Sequence, residues 1–185
     1  MSQPESPVVS VIIPTYNRSA FIGWAVQSVL DQTYSDFEVL IVDDGSTDST
    51  GEVLEPLMRD GRIRYIHQQN QGQNHARNHG LRKARGELIC FLDSDDMWVP
   101  EKLADQVLAM RNHPEVDIVH GDEWSMDESG RVFSGRNMRR YSGNILAEML
   151  VDNSVSIVTT MVRRRCFDGQ GGFSDRYRVA DDDEL

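Results

Sequence analysis

The chain opens on an alternation of apolar runs and one-sided amphipathic stretches. Val8 to Ile13 is almost wholly apolar and β-branched, which predicts a strand buried on both faces, as in a parallel sheet. Pro14-Thr15-Tyr16-Asn17-Arg18 ends it. Ser19 is the candidate cap of a helix to about Asp31, whose apolar face carries Phe21, Ile22, Ala25, Val26, Val29 and Leu30. Phe37 to Val42 predicts a second strand, ending in Asp43-Asp44-Gly45-Ser46-Thr47-Asp48. Asp48 or Ser49 then caps a helix from Thr50 to about Arg59. Arg62 to His67 is the third strand, Gln68 to Asn74 a polar loop, and about Gln73 to Ala84 a helix closed by Gly86. Leu88 to Leu92 is a fourth short apolar strand, and it stops abruptly at Asp93-Ser94-Asp95-Asp96. Pro100 suits the first turn of a further helix, with Leu103, Val107 and Met110 on one face and His113-Pro114 as its stop.

Strand and helix thus alternate four times, which predicts an α/β fold: a Rossmann-like, mostly parallel sheet flanked by helices. The second part reads differently, as a smaller mixed region. Val116 to His120 predicts a short strand, Gly121 to Phe133 a hairpin across Asp127-Glu128-Ser129-Gly130, Ile145 to Val151 a helix and Ser156 to Val162 a strand. Arg163 to Leu185 is polar and loop-rich. The chain stops just after a strongly acidic run, an unexpected place for a domain edge, so a C-terminally truncated fragment of a longer protein is expected.

Composition narrows the function classes. A length of 185 residues suffices for one domain with a real core. A net charge of -11 argues against a nucleic-acid backbone as partner and suits an anionic membrane surface poorly. The two cysteines, Cys90 and Cys166, suggest neither a disulfide framework nor a zinc site, and Cys90 lies inside an apolar strand as a buried thiol. Met1 to Pro7 lacks the pattern of a signal peptide, and no apolar run approaches the ~20 residues of a membrane span. A cytoplasmic protein is expected, with peripheral attachment at the inner face of the membrane as its variant.

The candidate chemistry lies at strand ends. Thr15 to Arg18, Asp43-Asp44 and Asp93-Ser94-Asp95 each follow a predicted parallel strand, so the fold brings them to one sheet edge, where open α/β sheets bind ligands. On spacing alone, a polar turn with a helix cap explains the Asp-x-Asp as well as a metal seat does. Convergence of three such ends favours a ligand. No G-x-G-x-x-G follows strand one, Pro14 has no N–H to give a phosphate, and no G-x-x-x-x-G-K-[ST] loop is present. Phosphate charge must then be handled otherwise, and a carboxylate-held divalent ion, Mg²⁺ or Mn²⁺, is one way to do so. Asp44 can accept a base N–H or ribose hydroxyl, Tyr16 can stack on a base, and Arg77 supplies a donor fork. Plainer readings stand beside these: a turn at Asp43-Asp44-Gly45, a packed aromatic at Tyr16 and a surface residue at Arg77. His75 and His79, at i and i+4, lack the Glu of a zinc-protease helix and read as a solvated face, as does Arg163-Arg164-Arg165. Arg136, Arg139 and Arg140 are candidates for the acceptor side or a loop over the diphosphate, and Trp98 and Trp124 either border a sugar or pack.

Taken together, Val11 to Arg18, Val42 to Asp48, Gly72 through Arg77-Asn78 to Gly80, Phe91 to Asp96, Gly171-Gly172-Phe173 and Ala180-Asp181-Asp182 resemble, in order, the motifs of the inverting family 2 glycosyltransferases with the GT-A fold. The resemblance runs nearly the length of the chain. It implies one glycosyltransferase domain over residues 1–185, with a nucleotide-binding part at about 8–96 and an acceptor-side part at about 97–185 that is incomplete. The donor it implies is a nucleotide-sugar, a UDP-sugar above all, and the acceptor a saccharide or lipid-linked hydroxyl in cell-envelope polysaccharide or glycolipid synthesis. Pro14, Thr15, Tyr16, Asn17, Asp43, Asp44, Arg77, Asp93 and Ser94 would form the nucleotide site. Asp95, with Asp93 facing the ribose or the metal, would hold Mn²⁺ or Mg²⁺.

The family's late Glu-Asp pair falls on Asp181-Asp182, which makes Asp182 the candidate catalytic base. Asp181 stands for the usual Glu, and Asp183-Glu184 for the frequent Trp-Asp, so the register there is open by one position. The implied reaction is a single displacement: the base takes the acceptor's proton as its oxygen attacks the anomeric carbon. Like-charge neighbours would raise the base's pKa from its usual ~3.9 toward the working range. Two other classes remain: a non-catalytic nucleotide-sugar-binding domain, and a sugar nucleotidyltransferase, which usually carries a Gly-rich basic loop after strand one.

Overall fold

The computed structural model describes residues 6–136, 141–145, 155–169 and 172–174. Strands β1 (Val9–Thr15), β2 (Phe37–Asp43), β3 (Ile63–His67) and β4 (Leu88–Phe91) pair in parallel in the order β3-β2-β1-β4. β8 (Met161–Arg163) continues the sheet antiparallel to β4, and β5 (Ile118–Val119) closes it antiparallel to β8. Every residue of β1 and β2 is buried, as expected of strands covered on both faces.

Side-chain alternation sorts the two covering layers. Val11, Ile13, Val39, Ile41 and Cys90 face helices α1 (Ile22–Leu30) and α4 (Lys102–Asn112), meeting Val26, Val29, Leu103 and Met110. Ile12, Leu40, Ile89 and Phe91 face the other side, with Leu81 of α3 (Gln73–Lys83). The register pairs Thr15 with Asp43 and Asp43 with His67, while Ile12 lies beside Phe91. The C-terminal ends of the parallel strands therefore share one edge, and the polar clusters stand on it. Mixed β8 and β5 make the smaller part of an α/β, GT-A-like fold.

Several local expectations shift. The helix at Thr50 is short: α2 spans Thr50–Leu54, and a 3₁₀ turn, Leu57–Arg59, follows Pro56, which cannot donate a helical hydrogen bond. Ser19 does not cap α1: its N–H and its hydroxyl both go to Asp48, and the helix starts at Ile22 with no side-chain cap bond. Ser156 to Val162 is not one strand; a 3₁₀ turn at Ile157–Thr159 precedes β8, with Thr159 and Thr160 hydroxyls donating to the carbonyls of Ser156 and Ile157. The hairpin forms as β6 (Glu123–Met126) and β7 (Val132–Arg136), turned by Gly130 at φ 81. Arg163 is not a solvated residue: its guanidinium donates to the carbonyls of Met110, His113 and Val116, satisfying the end of α4. The helix expected at Ile145 to Val151 lies almost wholly outside the described residues. Among the described residues, no helix is long and apolar enough to cross a membrane.

Candidate functional site

The loops after β1 and β2 are built from one another. Asn17 takes a left-handed φ of 52, and its Oδ1 accepts the N–H groups of Thr47 and Asp48 at 2.8 and 3.3 Å. In return Ser46 Oγ accepts from Asn17 N, and Thr50 Oγ1 from Arg18 N. Asn17 thus shapes the site wall with a saturated amide oxygen. Pro14 and Thr15 are buried at the end of β1, and Tyr16 beside them is exposed.

Asp43 and Asp44 are both buried but do different things. Asp43 accepts from Ser46 N at 2.8 Å and from the Tyr65 hydroxyl at 2.5 Å, closing the β2 turn. Burial and that carboxylate push the Tyr65 pKa up, so the phenol stays a donor. Asp44 holds the loop ahead of α3: it accepts from Gln68 Nε2 at 2.7 Å, Gln71 N at 2.9 and 3.2 Å, and Gly72 N at 2.7 Å. Three donors occupy it, and because Gln71 N bridges both oxygens, surrendering its longer arm leaves one lone pair for a ligand. Gln68 gives its NH₂ to Asp44, so its oxygen faces His79 Nδ1 at 2.7 Å, which assigns the ring hydrogen to Nδ1. Burial, then Arg82 and Lys83, push the His79 pKa down and keep it neutral. His79 is therefore not part of a solvated face.

The acids after β4 complete the edge. Arg77, buried on α3, donates to Asp93 Oδ1 at 2.7 Å, and Gln73 Nε2 donates to the same oxygen at 3.1 Å. Asp95 is half exposed, with Arg18 Nε 3.6 Å away. Ser94 is buried between them. Burial, then the charges of Asp93, Asp95 and Glu123, push Asp96 up to about 7. Among the described residues, no group of three or more His, Cys, Asp or Glu is placed to hold an ion alone. Two hard carboxylates at this edge, one open to solvent, nonetheless fit a divalent ion whose other positions go to phosphate oxygens and water. Thr15 Oγ1 and Arg77 Nε are buried without a hydrogen-bond partner among the described residues, which leaves unmet polar groups at the same edge.

The structure thus gathers Thr15, Asn17, Asp43, Asp44, Arg77, Asp93, Ser94 and Asp95 on one sheet edge. Asp181 to Glu184, Arg139 and Arg140 lie outside the described residues, as do the side chain of Arg136 and the residue Gly171. Trp98 packs: it is buried, its Nε1 donates to Val158 O at 3.0 Å, and the Lys102 ammonium sits 3.8 Å from its ring centroid. Trp124 is exposed on the hairpin. Gln68 and His79 were not singled out as site residues by the sequence. Their signal was only a polar residue at the end of strand three, with no pattern pairing it to a histidine on the next helix.

The family model of Glycosyl transferase family 2 matches residues 10–169. An uncharacterized glycosyltransferase of Rickettsia bellii is 37% identical over 153 residues, covering 83% of this chain and 22% of that protein. The crystal structure of Staphylococcus aureus TarS 1-349 in complex with UDP superposes with a TM-score of 0.78 at 26% identity, over 93% of this chain and 52% of that one. Mannosyltransferase PcManGT from Pyrobaculum calidifontis, in complex with GDP-Man and Mn²⁺, superposes with a TM-score of 0.71 at 25% identity, over 93% and 49%. The chain spans about a quarter of the length of its rickettsial relatives. A profile that begins in β1, runs through every strand of the parallel sheet and takes in the Asp-x-Asp edge places this chain in glycosyl transferase family 2.

Proposed function

We propose that this chain transfers a sugar from a nucleotide-sugar, a UDP-sugar first, to an acceptor hydroxyl with inversion and with help from Mn²⁺ or Mg²⁺. The observation that carries the reading is the shared edge: Asp44 and its loop, Arg77 paired to Asp93, and the open Asp95 stand at adjacent strand ends. The UDP complex of TarS and the GDP-Man and Mn²⁺ complex of the mannosyltransferase, both of this fold, support a nucleotide-sugar as donor and a divalent ion beside it.

In this reading residues about 8–96 bind the donor and about 97–185 form the acceptor side. Pro14 to Asn17 wall the base, with Tyr16 exposed to stack on it. Asp44 accepts from the base with the lone pair freed by Gln71. Asp93, fixed by Arg77 and Gln73, faces the ribose, and Asp93 with Asp95 would hold the cation. Bound there, the cation would neutralise charge on the departing diphosphate. Asp182 takes the acceptor's proton, a contribution of about 10²–10⁴-fold when the geometry is right. A saccharide or lipid-linked acceptor follows from the family alone.

The test is donor turnover in Asp182→Asn, read as nucleoside diphosphate release with each UDP-sugar, beside UDP binding. Turnover should vanish while binding stays. Undiminished turnover would remove Asp182 as the base, and binding without turnover in the unaltered chain would favour the non-catalytic domain.

A further inference from the structure

Of the three donors to Asp44, two are the backbone N–H groups of Gln71 and Gly72, and the third is the side chain of Gln68. That side chain is itself held. Gln68 Nε2 donates to Asp44 Oδ1 at 2.7 Å, and its Oε1 accepts from His79 Nδ1 at 2.7 Å. The relay runs from α3, through the end of β3, to the end of β2. Backbone is fixed at each step. Asp44 N donates to Thr15 O, and Gln68 N to Asp43 O. Helix α3 lies hard against β1, since a Cβ on Gly80, next to His79, would fall 2.5 Å from Ile12 Cγ2. What the backbone leaves open is the turn of the carboxylate and of the amide, both terminal torsions with broad wells. The side-chain bonds settle those. Gln68 is buried, so water does not take its place. By donating to the amide oxygen, His79 also polarises the amide N–H toward Asp44. The consequence is directional. Gln68 Nε2 and Gln71 N fill Oδ1. Gly72 N takes one side of Oδ2, and Gln71 N reaches the other only at 3.2 Å. Asp44 therefore offers a ligand one lone pair, on Oδ2.

We propose that Gln68 and His79 are positioning residues that set the nucleobase preference of the donor site: they saturate Oδ1 of Asp44, so that the base is read at Oδ2 alone. The proposal rests on the reading that Asp44 meets the base. Uracil carries an N–H at ring position N3 and can donate it to that one lone pair. Cytosine carries a bare nitrogen there, so lone pair faces lone pair. Its neighbouring amino group finds Oδ1 already taken by Gln68 and Gln71. A site built around a required hydrogen bond rejects the analogue that lacks it. Without Gln68, the vacated side of Oδ1 can accept cytosine's amino group, the carboxylate is free to turn, and the discrimination collapses.

The test is calorimetric titration of UDP and of CDP, with Mn²⁺, into the unaltered chain, Gln68→Met, His79→Phe, Asp44→Asn and the double variant of Asp44→Asn with Gln68→Met. The readout is the ratio of the two affinities. General loosening of the loop weakens both nucleotides and leaves that ratio alone. The unaltered chain should prefer UDP by at least about tenfold, the worth of one hydrogen bond to a charged acceptor. Gln68→Met keeps the length of the side chain and loses both bonds, and should bring the ratio to within about threefold of one. His79→Phe keeps a ring and should move the ratio the same way by a smaller factor. In the Asp44→Asn background, adding Gln68→Met should change the ratio by less than about twofold, because the group through which Gln68 acts is gone. Equal loss of both nucleotides in Gln68→Met, with the ratio held, would overturn the proposal. So would a full change of ratio in the Asp44→Asn background. If Gln68→Met does not fold, His79→Phe decides, and an unmoved ratio there overturns the proposal. UDP and CDP bound equally by the unaltered chain would overturn it and leave the donor site standing. Neither nucleotide bound would defeat the donor-site reading and the proposal together.

Discussion

Asp44 is the residue whose substitution most cleanly separates building the site from contacting a ligand. A carboxylate that exists only to meet a nucleotide adds nothing to the free protein's stability, whereas this one ties Gln68, Gln71 and Gly72 to the end of β2. Asp44→Asn keeps the shape and one acceptor oxygen. Its new NH₂ points at a backbone donor, Gly72 N, which sat 2.7 Å from a carboxylate oxygen. Gln71 and Gly72 are exposed, so water replaces part of what is lost, and each of their bonds has a net worth of about 0.5–1.5 kcal/mol. Gln68 is buried, and an unsatisfied amide there costs about 1–3 kcal/mol. Asp44→Asn, which keeps part of this network, should destabilise the nucleotide-free chain by about 1–3 kcal/mol, and Asp44→Ala by about 2–6 kcal/mol. At about 2–4 °C per kcal/mol for a chain of this size, the Asn variant melts roughly 2–12 °C lower. Thermal melts followed by far-UV circular dichroism, without nucleotide or metal, check this. An Asn variant that melts with or above the unaltered chain would refute the loop-holding role and return Asp44 to a ligand contact alone.

Other perturbations follow from the same reasoning. Glu38 is buried in β2 and accepts from Ser10, Arg64 and Arg85; burial alone would raise its pKa, but these bonds outweigh it and the net shift is downward. A depressed carboxylate pKa stabilises above the unfolded value of about 4.3 and is lost as pH falls through the folded value, so urea midpoints of the unaltered chain should drop below about pH 4.3 more steeply than those of Glu38→Gln. The two arginines are partly exposed, so the pair is screened and the effect shrinks with salt. Gly86→Ala would place a methyl 2.6 Å from Ser10 N and 2.9 Å from Val8 O, both backbone atoms, and should cost about 1–3 kcal/mol in chemical denaturation; a neutral result would mean that the α3–β4 turn yields freely.

The parallel sheet was legible because its strands are short apolar runs that end in acids, and because the period of the intervening helices is clear. Hence Asp43, Asp44, Asp93 and Asp95 were placed on one edge, each at the end of an expected parallel strand. Most of what was missed depends on partners far away in sequence, and the rest on hydroxyls that bond back three residues. Ser19 looks like a helix cap until Asp48, from the next loop, claims its hydroxyl as well as its N–H. Thr159 and Thr160 look like strand residues until their hydroxyls bond back to the local chain and turn it. Glu38 alternates with apolar neighbours as a solvent-facing strand residue would, yet it is buried by Arg64 and Arg85 arriving from a strand and a turn. The Gln68–His79 pair carries no periodicity, so only the folded geometry shows it.

The central claim is a metal-assisted nucleotide site on the edge shared by β1, β2 and β4. Calorimetric titration with UDP, with and without Mn²⁺, in the unaltered chain and in Asp95→Ala tests it most directly. The expected result is binding that weakens by about tenfold or more when Mn²⁺ is withheld, and a variant in which that metal dependence is gone. UDP binding that is the same with and without Mn²⁺ and indifferent to Asp95→Ala, or no binding of UDP under either condition, would contradict it.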